Sequence, residues 1–103
     1  MNDCLKDARG IAARLRAEGK SPWIGRLRKV EERENGRFHY PLIPRVPGVL
    51  AFTTHYVCCC DGLAYDPLLP GPEPLATYSQ TLFGMEIEIT PVPDPATERS
   101  ALS

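Results

Sequence analysis

A cysteine, a histidine and an aspartate in this chain are placed where they could form a nucleophilic catalytic site. Cys4 stands at the start of a predicted helix, His55 lies in a predicted strand, and Asp66 follows a predicted turn. In such a site the aspartate orients the imidazole, the imidazole takes the thiol proton, and the thiolate attacks a carbonyl carbon. We therefore predict that Cys4, His55 and Asp66 are the catalytic residues.

Cys4 is the preferred nucleophile because it falls in the first turn of its helix. Unpaired N–H groups and the positive end of the helix dipole stabilise a thiolate there and lower the pKa of the thiol. The structural alternative is a small apolar residue on the buried stripe of the same helix, since cysteine is among the most buried residue types.

The pairing of His55 with Asp66 depends on the turn between two predicted strands. Asp61-Gly62 is a strong signal for a two-residue hairpin turn. Such a turn places Asp66 opposite Val57, so that Asp66 becomes the diagonal neighbour of His55 at roughly 7–8 Å between backbones. A three-residue loop would shift the register by one and put the two side chains on opposite faces.

Other residues of the same types are weaker candidates. The run Cys58–Cys60 lies in a strand interior without a helix-end field, and only Cys59 is expected to share the face of His55, as packing against the helix. A contiguous triplet cannot supply the tetrahedral cup of a zinc site, so we predict no metal and no cofactor. Asp61 is the second choice for the aspartate, but its side chain is expected to serve the turn. His39 is interpreted as a surface residue.

The elements that position these residues follow from hydrophobic periodicity. An apolar stripe predicts a first helix from Cys4 to about residue 17, within which Gly10 is expected to have a close neighbour. Further predictions are strands at 23–30, 38–40, 49–60, 63–66 and 85–89, a loop at 67–74 and a short helix at 75–83. The predicted class is α+β, with an N-terminal helix packed on an antiparallel β-sheet. Residues 1–90 would form one catalytic domain, and residues 91–103 a flexible C-terminal tail.

Composition and charge narrow the functional classes. A chain of 103 residues with 43% apolar and 24% charged residues is an ordinary single domain. Residues 1–40 hold ten of the twelve basic residues, but glutamates interrupt the basic stretch at 26–33, so no nucleic-acid site is predicted. No apolar run is long enough to span a membrane or to act as a signal peptide. We expect reduced thiols and a cytoplasmic protein, or one delivered to a target cell by a specialised secretion system.

The stretch from Thr54 to Pro67, taken with Cys4, resembles the papain-like fold in its minimal bacterial form. It reads THYVCCCDGLAYDP, similar to the His-x-Val, Asp-Gly and Tyr-Asp-Pro hairpin of papain-like domains in bacterial polymorphic toxins and secreted effectors. Transglutaminase-like peptidases have the same order of cysteine, histidine and aspartate. The resemblance implies that Cys4 is the nucleophile, His55 the base and Asp66 the orienting acid.

The resemblance also implies a function. Such domains are cysteine-dependent hydrolases or acyl-transfer enzymes that act on a protein amide bond, of peptidase, glutamine deamidase or transglutaminase type. The expected partners are a protein or peptide substrate and an immunity protein or parent toxin chain. Larger members complete an oxyanion hole with an upstream glutamine, whereas only three residues precede Cys4 here. The alternative is a non-catalytic module of the same fold, either an immunity-type partner or a protein that binds through the proline-rich loops 41–47 and 67–74.

Overall fold

The computed structural model describes residues 4–93, which form a small α+β domain with an N-terminal helix and an antiparallel sheet. The fold class is therefore as predicted. In chain order the elements are α1 (Cys4–Ala17), β1 (Trp23–Leu27), β2 (Lys29–Arg33), β3 (Gly36–Tyr40), β4 (His55–Cys60), β5 (Leu63–Tyr65), β6 (Glu73–Pro74), α2 (Leu75–Phe83) and β7 (Ile89–Val92). No helix among the described residues is long and apolar enough to cross a lipid bilayer.

The main sheet has the strand order β6-β5-β4-β1-β7, and all its neighbouring strands are antiparallel. β4 is the central strand and begins with His55. β2 and β3 pair with each other as a separate hairpin, and nearly every residue of that hairpin is exposed. Because β4 is central, its first residue, His55, lies near both helices, α1 on one face of the sheet and α2 on the other.

One face of the sheet is covered by α1. The buried cluster on this face combines small residues with two larger aliphatic ones: Ala8, Ala12, Leu15, Ile24, Cys58 and Cys60. Gly10 is exposed, and a Cβ added there would meet nothing within 4 Å. The expectation of a close neighbour at Gly10 is wrong, because this residue lies on the solvent side of the helix.

The opposite face of the sheet is covered by α2. Successive residues of a strand point to opposite faces, and Val57 and Cys59 accordingly belong to the cluster that holds Tyr78 and Leu82 of α2. Cys59 therefore packs on the α2 side, not against the N-terminal helix. Gly84 ends α2 in the left-handed conformation at φ 73°, where glycine has no steric penalty.

The predicted strand 85–89 is wrong in its bounds. Met85–Glu88 are irregular, and the strand of the sheet is β7, which pairs with β1 through Leu27 and Ile89. The apolar alternation arose because Ile87 is buried, with its N–H donating to Ser79 Oγ at 3.2 Å. Residues 91 and 92 of the predicted tail consequently belong to the sheet, and residues 94–103 lie outside the described residues.

Three other boundaries differ from the prediction. The strand predicted at 23–30 divides at Arg28 into β1 and β2. The stretch 49–54 contributes only an isolated bridge between Leu42 and Phe52, because the surrounding loop contains several prolines and β4 begins at His55. The predicted loop 67–74 ends in the short strand Glu73–Pro74, which pairs with β5 at the edge of the sheet.

Candidate active site

The hairpin of β4 and β5 brings His55 and Asp66 together. Asp61 and Gly62 form the turn with φ of 52° and 77°, as a two-residue hairpin turn requires. The resulting register pairs Cys59 with Ala64, which confirms the predicted spacing. His55 Nε2 lies 2.7 Å from Asp66 Oδ2, and both residues are buried. Because a carboxylate only accepts hydrogen bonds, Nε2 carries the proton of this contact.

The Asp66 carboxylate is held by three donors. Oδ2 accepts from His55 and also from the Tyr78 hydroxyl at 2.5 Å. Oδ1 accepts from the Leu68 backbone N–H at 2.9 Å. Burial alone would raise the pKa of Asp66, but hydrogen bonds from His55, Tyr78 and Leu68 outweigh it and lower that pKa. Asp66 is therefore ionised at neutral pH.

The His55 imidazole is enclosed by aromatic rings and is only 1% exposed. Its ring centroid lies 4.7 Å from that of Phe52 and 5.8 Å from that of Phe83. Burial would lower the pKa of His55, but the hydrogen bond to Asp66 and the interaction with Cys4 raise it to about 9. The imidazole consequently holds a second proton at neutral pH, on Nδ1.

Cys4 is the other polar side chain that acts on His55. Nδ1 is buried and makes no hydrogen bond of good geometry within residues 4–93. The thiol nevertheless lies close enough for the two side chains to shift each other's pKa. Since Nε2 is bonded to Asp66, Nδ1 is the ring nitrogen left for Cys4. A thiol, an imidazole and a carboxylate therefore line one cleft, and the imidazole interacts with both of the other groups.

The Cys4 thiol ionises more readily than an ordinary cysteine. Burial raises its pKa, but the interactions with His55 and with the backbone of Tyr56 outweigh burial, so the net shift is downward. The backbone N–H of Cys4, in the first described turn of α1, also lowers this pKa. Both effects favour the thiolate form of Cys4 beside a protonated His55.

The weaker candidates lie elsewhere. The Asp61 side chain is in the exposed turn, where its carboxylate accepts from the Cys60 thiol at 3.6 Å. His39 is exposed on β3. Cys58 and Cys59 are buried, which raises their pKa values to about 11 and about 12. These two thiols occupy opposite faces of the sheet, so they cannot converge on one metal ion.

A small cleft opens on the site. Its cavity volume is about 40 Å³, and besides the three site residues its lining includes Asp7, Tyr56, Tyr65 and Leu68. A larger groove of about 490 Å³ lies at the base of the β2–β3 hairpin, between basic side chains of residues 28–37 and acidic ones of residues 86–88. The larger groove is lined by neither cysteine nor histidine, whereas the smaller cleft is lined by both Cys4 and His55.

Three contributions to the site were missed by the prediction. Tyr78 was predicted only as a residue of the second helix, and its hydroxyl contact with Asp66 depends on which face α2 covers. The stacking of Phe52 on His55 comes from an irregular loop. The Tyr56 backbone beside Cys4 carries no sequence signal at all, because any residue supplies an N–H.

The chain matches no family model, and it has no match among the curated proteins or the solved structures. Its function is therefore inferred from the chemistry of the site.

Proposed function

We propose that this chain is a cysteine-dependent hydrolase or acyl-transfer enzyme that acts on a protein amide bond. The observation that supports it is the series formed by Cys4, His55 and Asp66, in which the pKa of the thiol is lowered and that of the imidazole is raised. Perturbed ionisable groups beside a cleft are a feature of catalytic sites.

The proposed reaction proceeds in two steps. The Cys4 thiolate attacks the amide carbonyl carbon, forming an S–C bond and a tetrahedral oxyanion. Protonated His55 gives its Nδ1 proton to the leaving nitrogen, the C–N bond breaks, and an acyl thioester remains on Cys4. Neutral His55 then takes a proton from water or an amine as that nucleophile attacks the thioester carbonyl carbon. The S–C bond breaks, the acyl group leaves as a carboxylic acid or a new amide, and the Cys4 thiolate is restored beside protonated His55. Asp66 keeps the imidazole oriented throughout.

Backbone N–H groups can stabilise the oxyanion. The helix N-terminus supplies the N–H of Cys4, and the backbone of Tyr56 interacts with the thiol from β4. A main chain can offer a thiolate only its N–H as a donor, so the Tyr56 N–H lies beside the reacting sulfur and is our candidate for the second oxyanion-hole donor.

The size of the cleft favours a polypeptide substrate bound mainly at the surface. A cavity of about 40 Å³ has room for little more than an amide group beside the thiol. The half-buried rings of Tyr56 and Tyr65 and the side chain of Leu68 then offer apolar contacts to the flanking chain. Both a main-chain amide and a glutamine side-chain amide meet this description, and release of ammonia from a glutamine-containing peptide would identify the second.

We further propose that the domain is a minimal papain-like toxin or effector domain. The order of cysteine, histidine and aspartate, the nucleophile at a helix start and the antiparallel hairpin all support this assignment. Expression in a bacterial host tests it. Growth arrest by the wild-type chain and normal growth with Cys4→Ala are expected, whereas equal growth with both chains would contradict a catalytic toxin.

An activated ester provides the direct test of the acyl-transfer chemistry. With p-nitrophenyl acetate, the wild-type protein should release a burst of p-nitrophenolate and gain one acetyl group on Cys4, found by peptide mass spectrometry. Cys4→Ala should remove the burst and His55→Ala should slow it strongly, because the thiolate depends on the imidazolium. Acetylation at Cys58–Cys60 in place of Cys4 would refute the proposal.

A second candidate is a non-catalytic protein-binding module, and one observation favours it. Ile43 and Leu50, in and beside the proline-rich loop 41–47, are 61% and 85% exposed, which is unusual for large apolar side chains. This candidate predicts a Cys4 thiol with ordinary reactivity and a binding partner that is lost on Ile43→Ser and Leu50→Ser but retained on His55→Ala.

A further inference from the structure

The Asp66 carboxylate has a hydrogen-bond partner outside the predicted trio. Tyr78 is completely buried, and its hydroxyl donates to Oδ2 at 2.5 Å. The same oxygen accepts from His55 Nε2 at 2.7 Å. With the Leu68 N–H on Oδ1, neither carboxylate oxygen is free to turn away without losing a buried hydrogen bond.

The contact joins two parts of the fold. Asp66 directly follows β5, in a stretch that is no longer part of the sheet. Tyr78 comes from α2, on the face of the sheet that also holds Val57 and Cys59. Without Tyr78, the carboxylate would be positioned by one backbone N–H and by the imidazole that it has to orient. A side chain that orients another by a hydrogen bond must itself be fixed by further hydrogen bonds. The carboxylates and carbonyls that orient metal-binding histidines are an example.

We propose that Tyr78 is a positioning residue, whose hydroxyl holds the Asp66 carboxylate in the orientation and the charged state that His55 requires. This inference rests on the proposed function of Cys4, His55 and Asp66. It extends the series of three side chains to four and makes α2 part of the catalytic machinery, although Tyr78 does not line the cleft.

The expected effect of removing the hydroxyl has a definite sign. A donor to a carboxylate favours the ionised form, so Tyr78→Phe raises the pKa of Asp66. On acidification, Asp66 is then neutralised earlier, His55 loses its ionic partner, and Cys4 loses the imidazolium that stabilises its thiolate. The rate of Cys4 alkylation falls on the acidic side of its pH profile, which we call the acid limb. In Tyr78→Phe this acid limb therefore moves toward higher pH.

The experiment measures the rate of Cys4 alkylation by iodoacetamide as a function of pH, with each modified peptide quantified by mass spectrometry. For Tyr78→Phe we expect the acid limb to move up by about one pH unit, with a roughly threefold to tenfold lower rate on that limb. In the p-nitrophenyl acetate assay, kcat should fall while KM stays unchanged, because Tyr78 is not in contact with substrate.

Two controls separate positioning from stability. Tyr40→Phe removes a hydroxyl from the exposed hairpin, where it bonds Glu31, and should leave the alkylation profile unchanged. Leu82→Ala truncates a buried side chain one turn from Tyr78 on α2 and should lower Tm without moving the acid limb. An unshifted profile in Tyr78→Phe, or an equal shift in Leu82→Ala, would overturn the proposal.

The outcomes also distinguish this proposal from the proposed function. Alkylation of Cys4 needs no turnover, so its pH profile reports on Tyr78 even if p-nitrophenyl acetate does not acylate the wild-type protein. A lack of acylation would refute the proposed enzymatic function, and it would leave the role of Tyr78 in positioning Asp66 to be decided by the profile. If Tyr78→Phe alone is too unstable, the same profile is measured with Gly10→Ala added to both chains, because Gly10 is an exposed helix position with room for a methyl group.

Discussion

Cys4 and the run Cys58–Cys60 carry the same side chain in opposite environments. Cys4 begins a helix, is partly exposed at a cleft and lies beside an imidazole paired with Asp66. The three consecutive cysteines lie in the central strand and are buried. The pKa of Cys4 is lowered, whereas burial raises the pKa values of Cys58 and Cys59 to about 11 and about 12.

The difference shows that position within an element, more than the number of cysteines, determines reactivity. A strand interior offers a thiol no helix-end field, and it removes the water that would solvate a thiolate. Arg14 and Arg16 act on Cys58, but burial outweighs them and its pKa is raised. The triplet instead fills the two faces of the sheet, with Cys58 and Cys60 toward α1 and Cys59 toward α2. We therefore assign the conspicuous cysteines to packing and the single one to chemistry.

The largest expected effect comes from removing the charge that orients His55. Asp66→Asn removes the negative charge that stabilises the protonated imidazole. If the amide oxygen stays on the Leu68 N–H, the amide N–H faces Nε2 and favours the wrong tautomer. We expect the turnover of p-nitrophenyl acetate to fall by about 10²–10⁴-fold. The matched control is Asp61→Asn, in the exposed turn of the same hairpin, which should retain near wild-type turnover. Equal losses in the two variants would show that hairpin stability, not the carboxylate at Asp66, controls the rate.

The next effect is on the pH dependence of stability. Raising the pKa of His55 from 6.5 to about 9 contributes stability that is complete below pH 6.5 and is lost as the pH rises through about 9. Lowering the pKa of Cys4 contributes stability that is present above 9.0 and is lost as the pH falls through its folded value. In the pH range where both contributions change, they change in opposite directions and cancel. There the folded protein carries a proton on His55 and none on Cys4, whereas the unfolded chain carries the proton on Cys4 and none on His55.

Cys4→Ala removes that compensation. The free energy of unfolding, measured by urea denaturation, should be nearly flat for wild type through the overlap below pH 9. For Cys4→Ala it should decline above pH 6.5, by on the order of 1–3 kcal/mol in total, because His55 keeps its bond to Asp66. Parallel curves for the two chains would mean that Cys4 and His55 do not exchange a proton.

A smaller effect tests the structural role of the triplet. Cys59→Ser places a hydroxyl in the cluster of Val57, Ala64 and Leu82, where no new acceptor is provided. We expect a loss of about 1–3 kcal/mol in unfolding free energy by thermal or chemical denaturation. Cys4→Ser, at a partly exposed position, serves as the control and should cost less stability. A Cys59→Ser variant that keeps its stability but loses ester turnover would show that the nucleophile is Cys59 and not Cys4.

The smallest effect concerns the helix that carries Cys4. Gly10→Ala should stabilise the protein by about 0.5–1 kcal/mol, because the position is exposed and open and alanine is the better helix former. Gly84→Ala should destabilise it, since φ is +73° and the new Cβ would lie 2.7 Å from Arg45 Nε. The Tm of each variant is measured by thermal denaturation and compared with that of the wild type. A lower Tm for Gly10→Ala would mean that α1 is packed differently around this residue.

The part of the site that could be predicted is the part that depends on local chain geometry. Asp61-Gly62 specifies a two-residue turn, and the turn alone determines the register that brings Asp66 to His55. The helix that carries Cys4 is likewise specified by a local pattern. The N-terminal helix and the antiparallel sheet followed from the same kind of pattern.

The remaining features depend on contacts between distant segments. Tyr78 reaches Asp66 only because α2 covers the face of the sheet opposite α1, which no local pattern specifies. The alternation ending at Ile89 predicted a strand that starts too early, because burial of Ile87 in an irregular segment gives the same apolar period as a strand. The period of the apolar residues indicates which side chains are buried. It does not show which segments pair in the sheet, so the bounds of this strand could not be predicted from it.

Competitive alkylation of the four cysteines in the folded wild-type protein tests the central claim most directly. At neutral pH, with limiting iodoacetamide and peptide mass spectrometry, we predict that Cys4 is modified faster than Cys58, Cys59 or Cys60. Its pKa is lowered and it is partly exposed, whereas the other three thiols are buried and their pKa values are raised. His55→Ala should slow the reaction of Cys4 alone. Comparable rates at all four cysteines, or fastest modification within Cys58–Cys60, would contradict the assignment of Cys4 as the nucleophile.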